Sequence, residues 1–301
     1  MMVDKRIKAG DIELQVRDYP RIGDSVIFLH YGGGNLVMWR DIVPYFQDDY
    51  HVVLIDLRGH GKSDKPQNGY HIDDLAGDVV KVISSLGIEK VNVVGSSLGA
   101  EVGLSIAANF PDSVQTLVCE GALFNESGPY GLWKGSQEAF EVYAKEMINS
   151  LRNRSEKLYP SIDEMVTEKK QFFEQHGWWN ETMEEVVRYG AIEVNDGMYV
   201  ESWGHIALPY TMHSLYYNFG DYYKRVQCPV LMMSDEIPGQ DEKELAIMDA
   251  LFRLVKHGKI VRIPGWVHPF GWMITPEAGS KAVKSFIEEI RERNEDVGNI
   301  N

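Results

Sequence analysis

Three short apolar runs recur along the first third of the chain: SVIFLH (25–30), HVVLIDL (51–57) and VNVVGS (91–96). Each is almost unbroken in Val, Ile and Leu, the pattern of a parallel strand covered on both faces. Before them, Ile12, Leu14 and Val16 alternate with polar residues, which predicts a strand with one covered face. Between the runs the period lengthens. Leu75, Val79, Val82, Ile83 and Leu86 recur at helical spacing, and Asp73 and Asp74 favour the helix N-terminus. A second helix is predicted over LGAEVGLSIAANF, with Pro111 past its end, and SVQTLVCEG (113–121) reads as the next strand. This alternation predicts an α/β protein, a mostly parallel sheet with helices on both faces.

The pattern breaks at about residue 124. From there to about 226 the chain reads as helical, aromatic and irregular, and the strand signal returns only at CPVLMMS (228–234). A helix over EKELAIMDALFRLVKHG, the strand KIVRIPG and an amphipathic helix over PEAGSKAVKSFIEEIRER follow. A core that resumes after such a gap implies an insertion within one fold: a core of 1–123 and 227–301 carrying a helical cap of 124–226. The tail NEDVGNIN is expected to fray.

Charge narrows the partners. With a net charge of −15 over 301 residues the chain lacks the clustered Lys and Arg that nucleic acid or anionic membranes require, so a small-molecule substrate is expected. Its two cysteines, Cys119 and Cys228, do not make a disulfide framework. No apolar signal region or membrane-length run is found, and a cytoplasmic protein is expected. Monomer and homodimer both stay open.

The candidate chemistry begins where VNVVGSSLGAE leaves its strand. A G-x-S-x-G between a buried strand and a helix predicts a strained turn that projects the central serine, here Ser97. Gly95 and Gly99 leave room where the chains cross, and Ser96 is expected merely to fill space. The amide of Leu98, at the helix N-terminus, would face a developing oxyanion. A second donor is expected in HYGGG (30–34): Gly32 first, then Gly33, with His30 structural. His268, in GWVHP just past the last strand, is the candidate base. The RGHGKS segment lacks the first glycine of a phosphate-binding loop, and no metal-ligand spacing occurs, so neither cofactor nor metal is expected.

HYGGG, DLRGHGKSDKP (56–66), GSSLG and GWVHP, in this order, resemble the α/β-hydrolase superfamily over nearly the whole chain. The first two segments are also similar to haloalkane dehalogenases and epoxide hydrolases, which use aspartate where this chain has Ser97. Tyr31 departs from the family, which usually has glycine there. The resemblance implies an eight-stranded sheet with the cap between strands six and seven. It also implies a carboxylate to orient His268, placed either a few residues past strand seven or at the end of strand six. At the first place the usual aspartate position falls near Pro238, leaving Asp235, Glu236 or Asp241; at the second stands Glu120. A glutamate closing an apolar strand is costly without a partner, which favours Glu120 as the acid and leaves Asp235 as runner-up. An ion pair with a cap residue is the other reading of Glu120.

The insertion is rich in aromatic residues, and a cap in this fold usually roofs the pocket. Tyr31, Trp178, Trp203, Tyr216 and Trp266 are the expected pocket residues, favouring an apolar or aromatic substrate. The expectation is a carboxylesterase-like serine hydrolase (EC 3.1) cleaving an ester, lactone or thioester through an acyl-enzyme. A carbon–carbon bond hydrolase or aminopeptidase on the same triad, a small-molecule receptor on a hydrolase scaffold, and a cofactor-free oxidative reaction are the alternatives.

Overall fold

The computed structural model describes residues 1–121, 123–235 and 242–298. Among these residues ten strands and ten α-helices follow in the order β1 (Val3–Ala9), β2 (Ile12–Tyr19), β3 (Ser25–Leu29), β4 (His51–Ile55), α1 (Ile72–Ser85), β5 (Val91–Ser96), α2 (Leu98–Asn109) and β6 (Val114–Glu120). Then come α3 (Gln137–Arg152), α4 (Ile162–Glu174), α5 (Glu181–Gly190), β7 (Ala191–Glu193), β8 (Tyr199–Glu201), α6 (Ser202–Ser214) and α7 (Phe219–Tyr223). The chain closes with β9 (Val230–Asp235), α8 (Glu242–Phe252), β10 (Gly258–Ile263), α9 (Gly271–Ile274) and α10 (Pro276–Gly298).

Eight strands form one sheet in the order β1-β2-β4-β3-β5-β6-β9-β10. The β1–β2 and β2–β4 pairs are antiparallel, and every other pair is parallel. The central strands β3 and β5 are buried along their whole length, as their unbroken apolar runs require. Successive residues feed opposite faces: Val93 packs among Val79, Leu104 and Leu117, whereas Val94 packs among Phe28, Trp39 and Phe286. Helices α1 and α2 cover the first face, and α9 and α10 cover the second.

Between β6 and β9 lie α3 to α7, with a small apolar cluster of their own around Phe140, Ala144 and Leu215. They also hold an antiparallel β7–β8 hairpin that the sequence reading did not predict, because three-residue strands show no period. Tyr159 pairs with its Tyr199, and the hairpin leads straight into α6. Cys119 and Cys228 are free and buried. Among the described residues no helix is long and apolar enough to cross a membrane.

Candidate active site

The turn after β5 is built by exclusion. A Cβ on Gly95 would stand 2.3 Å from the Gly99 oxygen, and one on Gly99 would stand 2.1 Å from the Leu29 oxygen. Only hydrogen fits at either position. Between them Ser97 takes φ 52° and ψ −117°, a conformation that side chains rarely adopt and that a tight turn must hold in place. Its amide donates to the main-chain carbonyl oxygen of Glu120 at 2.9 Å, tying the turn to the neighbouring strand end. Leu98 opens α2, so its amide is one of the helix's first N–H groups, which have no acceptor within the helix.

Glu120, in register with Ser96 on the adjacent strand, is completely buried. Its Oε1 accepts from His268 Nδ1 at 2.7 Å and Trp266 Nε1 at 3.0 Å. Its Oε2 accepts from Ser96 Oγ at 2.6 Å and Trp272 Nε1 at 3.2 Å. Burial alone pushes this carboxyl up, but the bond and charge of His268, with the Ser96 and Trp266 bonds, outweigh it and bring it below its usual range. Its partners come from β5, the segment after β10 and α9; no ion pair with a cap residue is formed among the described residues. Ser96 is therefore no filler: its hydroxyl takes one oxygen of a buried charge. Gly121, at φ 103°, leaves space for the imidazole, since a Cβ there would lie 2.5 Å from His268 Cε1. Glu236, Pro238 and Asp241 lie outside the described residues, as does the side chain of Asp235.

The glycine loop after β3 is held from below by two buried histidines whose rings meet edge-on at 4.7 Å. His30 bonds the Tyr31 oxygen through Nδ1 and accepts from the Leu57 amide through Nε2. His60 bonds the Arg58 oxygen through Nδ1 and accepts from the Gly33 amide through Nε2 at 3.0 Å. Burial depresses both imidazoles, His30 well below its ordinary value and His60 to about 4, so both are neutral acceptors near pH 7. Gly33 is thereby removed as an oxyanion donor, because its N–H is already spent. The Gly34 amide likewise donates to the Tyr31 oxygen. Gly32 is the glycine of the three whose amide is not engaged in these loop bonds.

Asp56, which no sequence motif singles out, joins three segments. Its oxygens accept from the Leu36 amide at 2.7 Å, the Lys62 amide at 2.8 Å and the Tyr189 hydroxyl of α5 at 3.0 Å. Burial raises it to about 6 against the pull of these bonds.

Over Gly32 and Gly33 lies a cavity of about 240 Å³, with Phe173, Val186, Trp203 and Phe270 on its walls. Tyr31 lines it, and Trp203 lies so close that a Cβ on Gly32 would meet its ring at 2.5 Å. The cavity adjoins the glycine loop, but Ser97, Leu98 and His268 are not among its lining residues, nor are the other expected pocket residues. Tyr216 is half exposed and bonded to Glu141, Trp266 is buried beneath the carboxylate, and Trp178 packs behind Phe270 with ring centroids 5.8 Å apart. Periodicity and composition cannot separate a helix's pocket-facing aromatics from those that pack the helix.

The profile describing the α/β-hydrolase fold matches residues 24–191, more than half of the chain. The chain belongs to the α/β-hydrolase family. Among curated relatives of this α/β-hydrolase, the 2-(acetamidomethylene)succinate hydrolase of Mesorhizobium japonicum is 34% identical over 116 residues, 38% of this chain and 41% of that protein. The 3-oxoadipate enol-lactonase 2 of Acinetobacter baylyi is 37% identical over 94 residues, 31% of this chain and 35% of that protein. Each match thus spans well under half of the relative's length. A crystal structure of E-2-(acetamidomethylene)succinate hydrolase shares the fold with a TM-score of 0.73 at 23% identity, over 96% of this chain and 100% of that one.

Proposed function

We propose that this α/β-hydrolase is a serine hydrolase that cleaves an ester, lactone or thioester of a small, largely apolar substrate through an acyl-enzyme. The observation that carries the reading is the 2.7 Å bond from His268 Nδ1 to a fully buried Glu120, beside a serine held at positive φ. With Nδ1 engaged, His268 exchanges protons through Nε2. Ser97 Oγ attacks the carbonyl carbon as its proton passes to Nε2, and Glu120 stabilises the imidazolium formed. The oxyanion receives hydrogen bonds from the amides of Leu98 and Gly32. The leaving group departs with the proton from Nε2. Water then adds to the acyl carbon, giving its proton to the same nitrogen, and Ser97 leaves with that proton as the acid is released. The names of the two relatives, a hydrolase and a lactonase, are in keeping with water as the final acceptor.

A fluorophosphonate probe with p-nitrophenyl butyrate turnover tests the reading. Wild-type protein is expected to label on Ser97 and to turn over ester, and Ser97→Ala to lose both. Glu120→Gln is expected to lower kcat by about 10³- to 10⁴-fold, the scale for replacing the orienting acid of such a triad. Asp235→Asn should keep most of the activity; the reverse pattern would move the acid to β9. Folded wild-type protein that neither labels nor turns over ester would overturn the proposal.

A further inference from the structure

The cavity over Gly32 and Gly33 is not wholly apolar. Lys169 of α4 and Glu201, the last residue of β8, stand in its wall, and Lys169 Nζ lies 2.8 Å from Glu201 Oε2. The other Glu201 oxygen accepts from the Tyr159 hydroxyl at 3.2 Å. A lysine beside an apolar wall ordinarily extends its ammonium into bulk water. Here Glu201 pins it in the wall, with both side chains only about one-third exposed (29% and 38%). An ammonium carries three donors and no acceptor, and its contact with Glu201 is an ion pair. The Tyr159 hydroxyl also lies 3.2 Å from Glu168 Oε1, so its one proton serves one of the two carboxylates at a time.

Among the described residues Lys169 is also the sole cationic side chain in this cavity's lining, where Met165, Phe173, Val186, Trp203 and Phe270 supply apolar wall. A pocket of this kind orients its ligand by a few placed polar groups and binds the remainder by apolar contact. A protein of net charge −15 repels anions at long range, so an anionic ligand needs a fixed cation at the site itself.

We propose that Lys169 is a specificity-determining residue that receives a carboxylate at the far end of the acyl chain, with Glu201 as its positioning partner. The substrate class is then a half-ester, lactone or thioester of a short dicarboxylic acid. The acyl carbonyl lies at Gly32 and the methylene chain crosses the apolar wall. The inference rests on the Ser97 reading above.

The test pairs two esters that differ in one terminal group, monomethyl glutarate and methyl pentanoate, with acid release followed by titration. In wild-type protein kcat/KM is expected to favour the half-ester at least tenfold. Lys169→Gln should lower that ratio about 10- to 100-fold, the scale for removing a hydrogen bond to a charged group, and chiefly through KM. Lys169→Arg should restore most of it. Calorimetric binding of monomethyl glutarate to Ser97→Ala, and its weakening in the Ser97→Ala, Lys169→Gln double variant, reads the same contact without turnover. Fluorophosphonate labelling with a ratio near one, or a ratio that Lys169→Gln leaves unchanged, would overturn the carboxylate anchor and leave the serine hydrolase standing. Absence of labelling and of turnover for both esters would overturn both.

Discussion

Backbone space at Gly121 controls an imidazole. Burying a carboxylate at position 120 needs several donors, and the sheet register supplies Ser96 while the segment after β10 and α9 supplies two indoles and His268. The next residue must then have φ 103° and no side chain, because a Cβ would press on His268 Cε1 at 2.5 Å and on Nδ1 at 3.0 Å. Gly121→Ala should therefore push the ring off Glu120 and lower kcat about 10²-fold, the scale for a displacement near 1 Å at a reacting group. A methyl group at positive φ should add a stability loss of about 1–2 kcal/mol. Turnover of p-nitrophenyl butyrate beside urea unfolding separates the two effects. A variant with full activity would show that the ring is not confined as described.

At the scale of elements, the loop after β3 keeps its shape through acceptors placed beneath it. His60 must be neutral to accept the Gly33 N–H, and burial depresses it to about 4 from an ordinary 6.5. A folded value below the unfolded one means that the unfolded chain binds the proton first. The contribution is thus fully present above pH 6.5 and is lost as pH falls from 6.5 towards 4, by at most about 3 kcal/mol. His30 is depressed in the same direction, so wild-type protein should weaken markedly across this window. His60→Gln keeps an oxygen for Gly33 and cannot titrate, so it should lose less stability between pH 6.5 and 4.5 than wild type. Parallel urea curves at those two pH values check it; equal losses would mean that His60 is not the proton acceptor.

For the whole molecule, the long apolar runs and the G-S-S-L-G turn made the sheet and its elbow legible, since both depend on local pattern. Contacts between distant segments were not legible. The hydroxyl of Ser96, the Asp56 junction and the spending of the Gly33 amide on His60 become visible only once strands and loops are in register. The same holds for the link between α6 and α2. One turn beyond Ser97, Glu101 of α2 accepts from the Tyr210 hydroxyl of α6 at 2.7 Å, and no ion pair to it exists among the described residues. Burial raises it to about 8, with the Glu126 charge adding to the rise and the Tyr210 bond opposing it. The sign here opposes that of His60. Folded protein keeps this proton where the unfolded chain has released it, so stability falls as pH rises from the unfolded value near 4.5 through 8. Glu101→Gln resembles the protonated acid, retains an oxygen for Tyr210 and does not titrate. Its Tm should match wild type near pH 5 and exceed it by a margin that widens to pH 8. Melts of both proteins across that range decide the matter. A constant gap would mean that Glu101 is already charged in the folded state. A widening gap would show that α6 and α2 are joined through a protonated carboxylic acid, and that the stability maximum lies where the histidines have become neutral and Glu101 has not yet ionised.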